Sequence, residues 1–329
     1  SGQLPARLRE RRALRLPPGI PAGAARPAAP PPGGWPTDPR LDPFLAEPAL
    51  ARAEAVLGRP PGIAPEDTRP GISVVILTLD RPGLIGPLLR ALVAARPALR
   101  ERALGLQILV GDTGSTDPAV LALYRDLAGE IELVPGLRYH FSRNNNQLCF
   151  DHARHDHVLF LNNDVAFDDA AASLLAMHAG IAATPRAAAA GHVLHFGDGV
   201  TLQHGGIGFL QDPARRGLPY HPRAHRAVPS AAFAPAAPAA AVTGACLMVA
   251  RREFAALGGF EEGYAAECQD VDLCLKLRRI GRKVVLIGGP RALHLENATR
   301  PRREEHWGDR SLFLRRWFSF LAAEGALGA

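Results

Sequence analysis

The sequence predicts an α/β domain built on a mostly parallel sheet flanked by helices. Three observations predict it. Between residues 71 and 165, short aliphatic runs alternate with helix-length segments in the order βαβαβαβ, the order of a parallel sheet covered by helices. The runs are β-branched and show no polar alternation, so they read as strands buried on both faces. Three of them end in clusters of Asp, Asn, Ser, Thr and Gly, the strand ends at which such sheets bind ligands.

Each element follows from its residues. Ile-Ser-Val-Val-Ile-Leu at 72–77 is the first strand. A helix follows over 83–95, with Pro87 admissible only in its first turn, because farther in proline removes an i→i−4 hydrogen bond. Gln-Ile-Leu-Val-Gly at 107–111 is the second strand. Asp117-Pro118 opens another helix, with Asp as N-cap and Pro at the first helical position. Residues 131–134 read as the third strand, 145–154 as a helix and 158–161 as the fourth strand, which runs into Asn162-Asn163-Asp164. Beyond it the texture is less regular. Strand-like pieces and glycines fill 190–210, and 211–240 reads as a loop rich in Pro and Ala. A buried strand or turn covers 243–249. Residues 270–280 form an amphipathic helix, 283–287 a strand, and 304–323 a terminal helix with several aromatics. No internal repeat is visible.

Residues 1–70 have a different composition. They hold 16 of the 30 prolines, and Arg7, Arg9, Arg11, Arg12 and Arg15 crowd the start. They read as a Pro/Arg-rich arm or linker, either a solvated tail or a basic arm toward anionic lipid or another domain. Within it, Leu45, Leu50, Ala53 and Leu57 recur at helical spacing, so 41–58 reads as one helix. The chain starts with Ser, reads as a fragment or a processed form, and shows no secretory leader.

Composition excludes several classes. With 47% hydrophobic residues the chain is not disordered throughout. Four cysteines in 329 residues cannot staple it, and no C-x-x-C pair suggests a zinc ribbon. Cys149, Cys246, Cys268 and Cys274 read as buried free thiols of a reducing compartment. The uncharged stretch 230–250 is mostly alanine and is broken by Pro235 and Pro238, so it does not read as a membrane span. The net charge of +6 suits nucleic acid, an anionic nucleotide or a membrane surface equally. Neither a G-x-x-x-x-G-K-[ST] loop nor a G-x-G-x-x-G fingerprint occurs, which argues against P-loop and dinucleotide enzymes.

The first strand ends in Thr78-Leu79-Asp80-Arg81 and the second in Asp112-Thr113-Gly114-Ser115-Thr116-Asp117. A Gly/Ser/Thr loop lets a nucleotide approach closely, and Asp112 can accept hydrogen bonds from a base or ribose; the same residues also make a tight turn with a helix cap. Asn162-Asn163-Asp164 supplies oxygen donors of the kind Mg²⁺ or Mn²⁺ takes, with phosphate and water completing the shell. One carboxylate holds such an ion weakly, so binding would lean on a diphosphate. The same tripeptide also reads as a polar strand exit. In the helix at 270–280, Asp272, Lys276 and Arg279 share a face and read as a solvated i,i+4 ion-pair face. Asp270 falls instead with Leu273, Cys274 and Leu277, as an N-cap or as a general base.

Residues 71 to about 300 resemble a family-2 glycosyltransferase of the GT-A fold. The motifs that carry the resemblance stand in the family's order: Ser-Val-Val-Ile-Leu-Thr-Leu-Asp-Arg at 73–81, Val-Gly-Asp-Thr-Gly-Ser-Thr-Asp at 110–117, Phe-Leu-Asn-Asn-Asp-Val at 160–165, Thr-Gly-Ala-Cys-Leu-Met-Val at 243–249, Gly-Gly-Phe at 258–260 and Gln-Asp-Val-Asp-Leu-Cys-Leu-Lys-Leu at 269–277. The segment 198–206 looks like the bacterial rhamnosyltransferase-like branch, whose members decorate surface polysaccharides. The resemblance implies a nucleotide-binding half over 71–165, an acceptor and catalytic half over 166–303, and the C-terminal helix over 304–323. It implies nucleotide contacts from Thr78, Asp80, Arg81, Asp112, Gly114, Ser115 and Asn163. Asn162-Asn163-Asp164 stands at the family's D-x-D motif, so Asp164, with Asn162 and His294, would hold a divalent cation, Mn²⁺ or Mg²⁺, on the diphosphate. Asp270 stands at the catalytic base, and Thr243, Gly244, Ala245 and Gln269 would line the donor and acceptor pocket. Two positions depart from the pattern: Asn162 replaces the first Asp of D-x-D, and Gln269 replaces the usual Glu. The implied reaction is an inverting, single-addition transfer from a nucleotide-diphosphate sugar to a glycan or lipid-linked acceptor. It would take place on the cytoplasmic side, with no nucleic-acid partner.

Other readings compete. A sugar nucleotidyltransferase has a similar sheet but needs a Gly-rich loop with a basic residue after the first strand, which is missing. A non-catalytic nucleotide- or glycan-binding domain is faintly suggested by Asn162. His152, His155 and His157 resemble a metal cluster, but their offsets do not share a helix face, and they read as surface or helix-end residues. Arg316-Trp317 matches the end of the Q-x-x-R-W motif of processive synthases, with Phe313 in place of Gln. The terminal helix that carries Trp307, Leu314, Trp317, Phe318 and Leu321 reads as packed on the domain, the alternative being a peripheral membrane contact.

Overall fold

The structure, a computed structural model, describes residues 69–233, 236–295 and 306–327. Nearly all of the arm, and the helix expected over 41–58, lie outside the described residues. Strand β1 (Arg69–Thr78) leads through α1 (Pro82–Glu101), β2 (Gly105–Asp112), α2 (Pro118–Asp126), β3 (Glu132–Val134) and α3 (Phe141–His152) to β4 (His155–Asn162). Next come β5 (Val165–Phe167), α4 (Ala170–Ala183), β6 (Ala187–His192), β7 (Leu194–His195) and β8 (Leu202–His204). A small hairpin, β9 (Gly208–Phe209) and β10 (Pro219–Tyr220), precedes β11 (Ala237–Ala239), β12 (Cys246–Ala250), α5 (Arg251–Ala256) and α6 (Gln269–Arg279). The described chain ends with β13 (Lys283–Ile287), β14 (Ala292–His294) and α7 (Trp307–Ala323).

Eight strands form one sheet in the order β11-β13-β6-β12-β4-β1-β2-β3. β1 is parallel to β2 and β4, β2 to β3, and β13 to β6; β12 runs antiparallel between β4 and β6, and β11 antiparallel on the edge. This is the mostly parallel sheet that the alternation of elements requires. The lack of polar alternation in the strands has its cause here, since both faces are covered. Ile72, Val74 and Ile76 pack with Leu89, Leu92 and Leu174 on one face, whereas Val75 and Phe160 join Phe254, Phe260 and Trp317 on the other. A second sheet, β5-β14-β7-β8, stands beside the first.

Several boundaries differ from expectation for physical reasons. α1 runs six residues past 95 and contains Pro87 and Pro97 in its interior; its buried face, from Ile85 to Leu99, outweighs the two lost hydrogen bonds. α3 starts four residues early because the His140 and Asn144 side chains cap its first turn reciprocally: Asn144 Oδ1 accepts from His140 N (2.7 Å) and His140 Nδ1 from Arg143 N (3.3 Å). The expected loop over 211–240 contains β10, a 3₁₀ turn and β11. Pro238 is tolerated in β11 because this strand is an edge of the sheet. The larger correction concerns α6. Asp272 and Lys276 pair at 3.0 Å, as i,i+4 spacing predicts, but their face is not solvated: both side chains are buried, and Arg316 and Trp317 of α7 cover Asp272.

All four cysteines are free and buried, as expected. α7 lies on the domain, with Leu312, Phe313, Leu314, Trp317, Phe318 and Leu321 buried. Its apolar face is therefore already covered by protein. Among the described residues no helix is long and apolar enough to cross a membrane.

Candidate active site

The sheet register brings the polar strand ends level. Thr78 pairs with Asp112 across β1–β2, and Leu77 with Asn162 across β1–β4. Thr78 is buried; its hydroxyl accepts from Asn163 Nδ2 (3.1 Å), and its carbonyl accepts from Thr113 N and Oγ1 (3.0 Å each).

The loop after β2 is built by two carboxylates. Asp112 Oδ1 accepts from the amides of Gly114 and Ser115 (2.8 Å each), and its Oδ2 accepts from the Tyr124 hydroxyl (2.6 Å). Burial alone would raise the Asp112 carboxyl, but the hydroxyls of Ser115 and Tyr124, with the two amides, hold it below the usual carboxylate range. Asp80 Oδ1 accepts from Thr116 N (2.7 Å) and Asp117 N (2.8 Å), and Asp80 N donates to Ser115 Oγ (2.8 Å). Asp80 and Arg81 adopt left-handed backbone (φ 50° and 60°), and Gly114 sits at φ 113°, where a side chain is strained. Thr78, Asp80, Asp112, Gly114, Ser115 and Asn163 thus form one cradle, with exposed Arg81 at its rim. Both Asp112 oxygens are engaged inside the protein. Its visible task is to shape the loop.

A second cluster adjoins the first. β14 pairs antiparallel with β5, His294 opposite Val165, which brings the imidazole to the end of β4. His294 Nε2 lies 3.2 Å from Asp164 Oδ1 and 3.3 Å from Asn162 Nδ2. Asp164 and His294 are both buried. Beyond that imidazole, Asp164 Oδ1 has no hydrogen-bond donor among the described residues, and His294 Nδ1 has no partner. A buried carboxylate oxygen facing an imidazole nitrogen, with an amide beside them, fits a divalent cation.

The third group is Asp270, in the first turn of α6. It is not the N-cap: that position belongs to Cys268, at φ 71°, which makes no side-chain cap bond. Asp270 Oδ2 accepts from Gly244 N (2.7 Å) and Oδ1 from Val271 N (2.8 Å), while the residue stays partly exposed. Gly244 eases this approach, since a Cβ there would press on Asp270 Cβ at 3.2 Å and on the Phe141 ring at 3.3 Å. The next residue, Ala245, accepts from Asn162 N through its carbonyl (2.9 Å). Residues 243–245 therefore tie Asp270 to the Asn162–Asp164 cluster within two consecutive residues. Thr243 N donates to His204 Nε2 (3.4 Å), and the buried Gln269 Nε2 has no acceptor among the described residues.

α7 holds this third group in place. Asp309 accepts from the successive amides of Ala265, Ala266 and Glu267, and Arg310 pairs with Glu267 at 2.8 Å. Asp272, fully buried, accepts hydrogen bonds from Trp317 Nε1 (2.8 Å) and the Tyr264 hydroxyl (3.2 Å) and forms ion pairs with Arg316 Nε (3.0 Å) and Lys276 Nζ (3.0 Å). Burial would raise its carboxyl, but Arg316 and Lys276, then the Trp317 N–H, keep it below the ordinary range. These roles of Tyr124, Asp309 and Arg316 were not readable from the sequence, since each reaches a partner far along the chain or on another element. Asp272 was read as solvated.

No protein-family profile matches the chain. It is 30% identical over 238 residues to the O-antigen biosynthesis protein RfbC of Myxococcus xanthus, a match that covers 70% of this chain and 18% of that protein. It is 28% identical over 272 residues to the uncharacterized protein y4gI of Sinorhizobium fredii, covering 79% of this chain and 29% of the relative. The chain thus spans less than a third of either relative. Among solved structures, GalNAc-T7, crystallised with UDP, GalNAc and Mn²⁺, superposes with a TM-score of 0.54 at 14% identity, covering 85% of this chain and 56% of that one. The fold is the GT-A fold.

Proposed function

We propose that this domain is a glycosyltransferase that moves a sugar from a nucleoside-diphosphate sugar to a hydroxyl of a glycan or lipid-linked acceptor in surface-polysaccharide synthesis. The observation that carries the reading is the bridge through 243–245. It links one partly exposed carboxylate, Asp270, to a cation-type cluster at the carboxyl end of the sheet. The similarity to an O-antigen biosynthesis protein supports it, and the 198–206 segment supports the rhamnosyltransferase-like branch.

In this reading the cradle from Thr78 to Asn163 receives the nucleoside. Asp164, His294 and Asn162 hold Mn²⁺ or Mg²⁺. GalNAc-T7 was crystallised with Mn²⁺ and UDP, which supports such an ion. When bound, the cation neutralises the departing diphosphate. Asp270, its orientation fixed by the Gly244 amide, accepts the proton of the acceptor hydroxyl as that oxygen attacks the anomeric carbon from the side opposite the leaving group. Inversion follows from that geometry. In the same reading Gln269, whose buried amide nitrogen has no acceptor among the described residues, donates to a substrate oxygen.

The test is release of nucleoside diphosphate from UDP-, GDP- and dTDP-sugars, with Mn²⁺, Mg²⁺ or EDTA. Asp270→Asn keeps nucleotide binding and loses about 10²–10⁴ in turnover, the usual value of general-base assistance. Wild-type turnover in Asp270→Asn overturns the assignment of the base. A second reading, a non-catalytic nucleotide-binding domain, draws on Asn162 in place of a carboxylate. Metal-dependent nucleotide binding without turnover of any donor, acceptor mixtures included, selects it.

A further inference from the structure

We propose that Asp156, His157 and His178 form a second divalent-cation site, for a borderline ion such as Zn²⁺, at the start of β4. The site is independent of the glycosyltransferase reading. It stands five residues before Asn162, about 17 Å along the strand from the candidate active site.

Strand alternation alone would send Asp156 and His157 to opposite faces of the sheet. In the structure the two side chains nonetheless meet, opposite a register shift that interrupts β1 between Arg69 and Ile72. Asp156 turns into the irregularity, where its Oδ1 accepts from Gly71 N (3.0 Å) and meets His157 Nδ1 at 3.0 Å. His178, on α4, completes the group, its ring edge-on to that of His157 with centroids 4.8 Å apart. One ligand atom from each of the three residues lies within 4.8 Å of the others, and all three residues are half-buried. A tetrahedral zinc shell with bonds of about 2.0–2.2 Å spaces its ligands roughly 3.3–3.5 Å apart. The Asp156–His157 pair is near that spacing already. Ligand atoms up to 4.8 Å apart must draw together by roughly 1–1.5 Å to reach that spacing, so the His178 ring has to turn toward the pair when an ion binds, and water would take the fourth position.

The donor set decides the ion. Two imidazoles and one carboxylate suit Zn²⁺, Co²⁺ or Ni²⁺ better than the oxygen-seeking Mg²⁺ or Ca²⁺. The Gly71 amide is the outer partner that fixes the carboxylate, as metal sites require. His155, two residues earlier, is engaged with the Arg69 carbonyl (3.3 Å) and is not part of the set. An ion here would join the start of β4 to α4, a cross-link between the sheet and one of its covering helices.

The test is equilibrium dialysis of the full chain against micromolar Zn²⁺ with millimolar Mg²⁺ present, counting metal per chain. Asp164→Asn disables the candidate active-site cluster, and in that background one Zn²⁺ per chain is expected. His178→Gln in the same background weakens it roughly a hundredfold or more. Asp156→Asn, which keeps a side chain for the Gly71 amide to meet, does the same and covers the case in which His178→Gln misfolds. Co²⁺ in place of Zn²⁺ gives a visible d–d absorption that vanishes in both variants. No Zn²⁺ retained in Asp164→Asn, or Zn²⁺ bound as tightly after Asp156→Asn or His178→Gln is added as in Asp164→Asn alone, overturns the site.

Discussion

Replacing Asp272 by alanine should destabilise the domain more than any other single change on α6. The carboxylate is wholly buried, accepts two hydrogen bonds and pairs with two cations. Arg316 keeps a second partner in Glu261 (2.9 Å), so it is not stranded by the change. Lys276 is worse placed, because Asp272 is the carboxylate that faces its buried ammonium. Removing one partner of a buried pair typically costs about 3–5 kcal/mol. For a domain of this size that is a fall in Tm of about 6–20 °C. Urea unfolding of wild type, Asp272→Ala and Asp272→Asn measures it. Asp272→Asn keeps the shape and part of the bonding to Trp317 and Tyr264, so it should fall between the other two. The pH dependence follows in sign. The folded carboxyl titrates below its unfolded value, so its contribution is present above about pH 4 and is lost as pH falls through the folded value. Asp272→Asn should flatten that acid limb. A loss of less than about 1 kcal/mol in Asp272→Ala would refute the reasoning, because it would mean the two cations find water or other partners.

Two further outcomes are expected. Burial, with His221, His294 and His192 nearby, holds the His204 imidazole well below its ordinary value. The unfolded chain therefore takes up a proton near pH 6.5 that the folded one refuses, so stability falls as pH drops below about 6.5. Urea midpoints at pH 7.5 and 5.5 check this, and His204→Gln should narrow the gap between them. Gly259→Ala should cost about 2–3 kcal/mol. At φ 79° its new Cβ would meet Asn146 Oδ1, the atom that accepts from Phe260 N (2.8 Å). A thermal melt within 2 °C of wild type would contradict that.

The parallel sheet was legible because its strands are buried on both faces and leave unbroken aliphatic runs. The three polar strand ends were legible because short-range sequence places them one residue past each run. His294 could be assigned only through the resemblance, since its place beside Asp164 depends on the β5–β14 pairing across more than a hundred residues. Asp272 misled because helix periodicity reports which residues share a face, not what covers that face. The cover is α7, which arrives from a remote part of the chain. The Pro- and Ala-rich stretch 211–240 read as a loop, and the edge position of β11 is what admits Pro238 in a strand. The Asp156–His157 contact was invisible because strand alternation sends neighbouring side chains to opposite faces.

The grip of α7 on the Asp270 region also sets an order of assembly. Asp309 lies 44 residues downstream of Ala265, the first amide it holds. At about 5–20 residues per second, a ribosome needs roughly 2–9 s to add that stretch. In that interval β1, β2 and β4 can already be paired while the loop before α6 still lacks its clasp. A growing chain would thus hold a finished cradle before α7 anchors the loop ahead of Asp270. A premature stop inside α7 would leave a protein arrested at that stage.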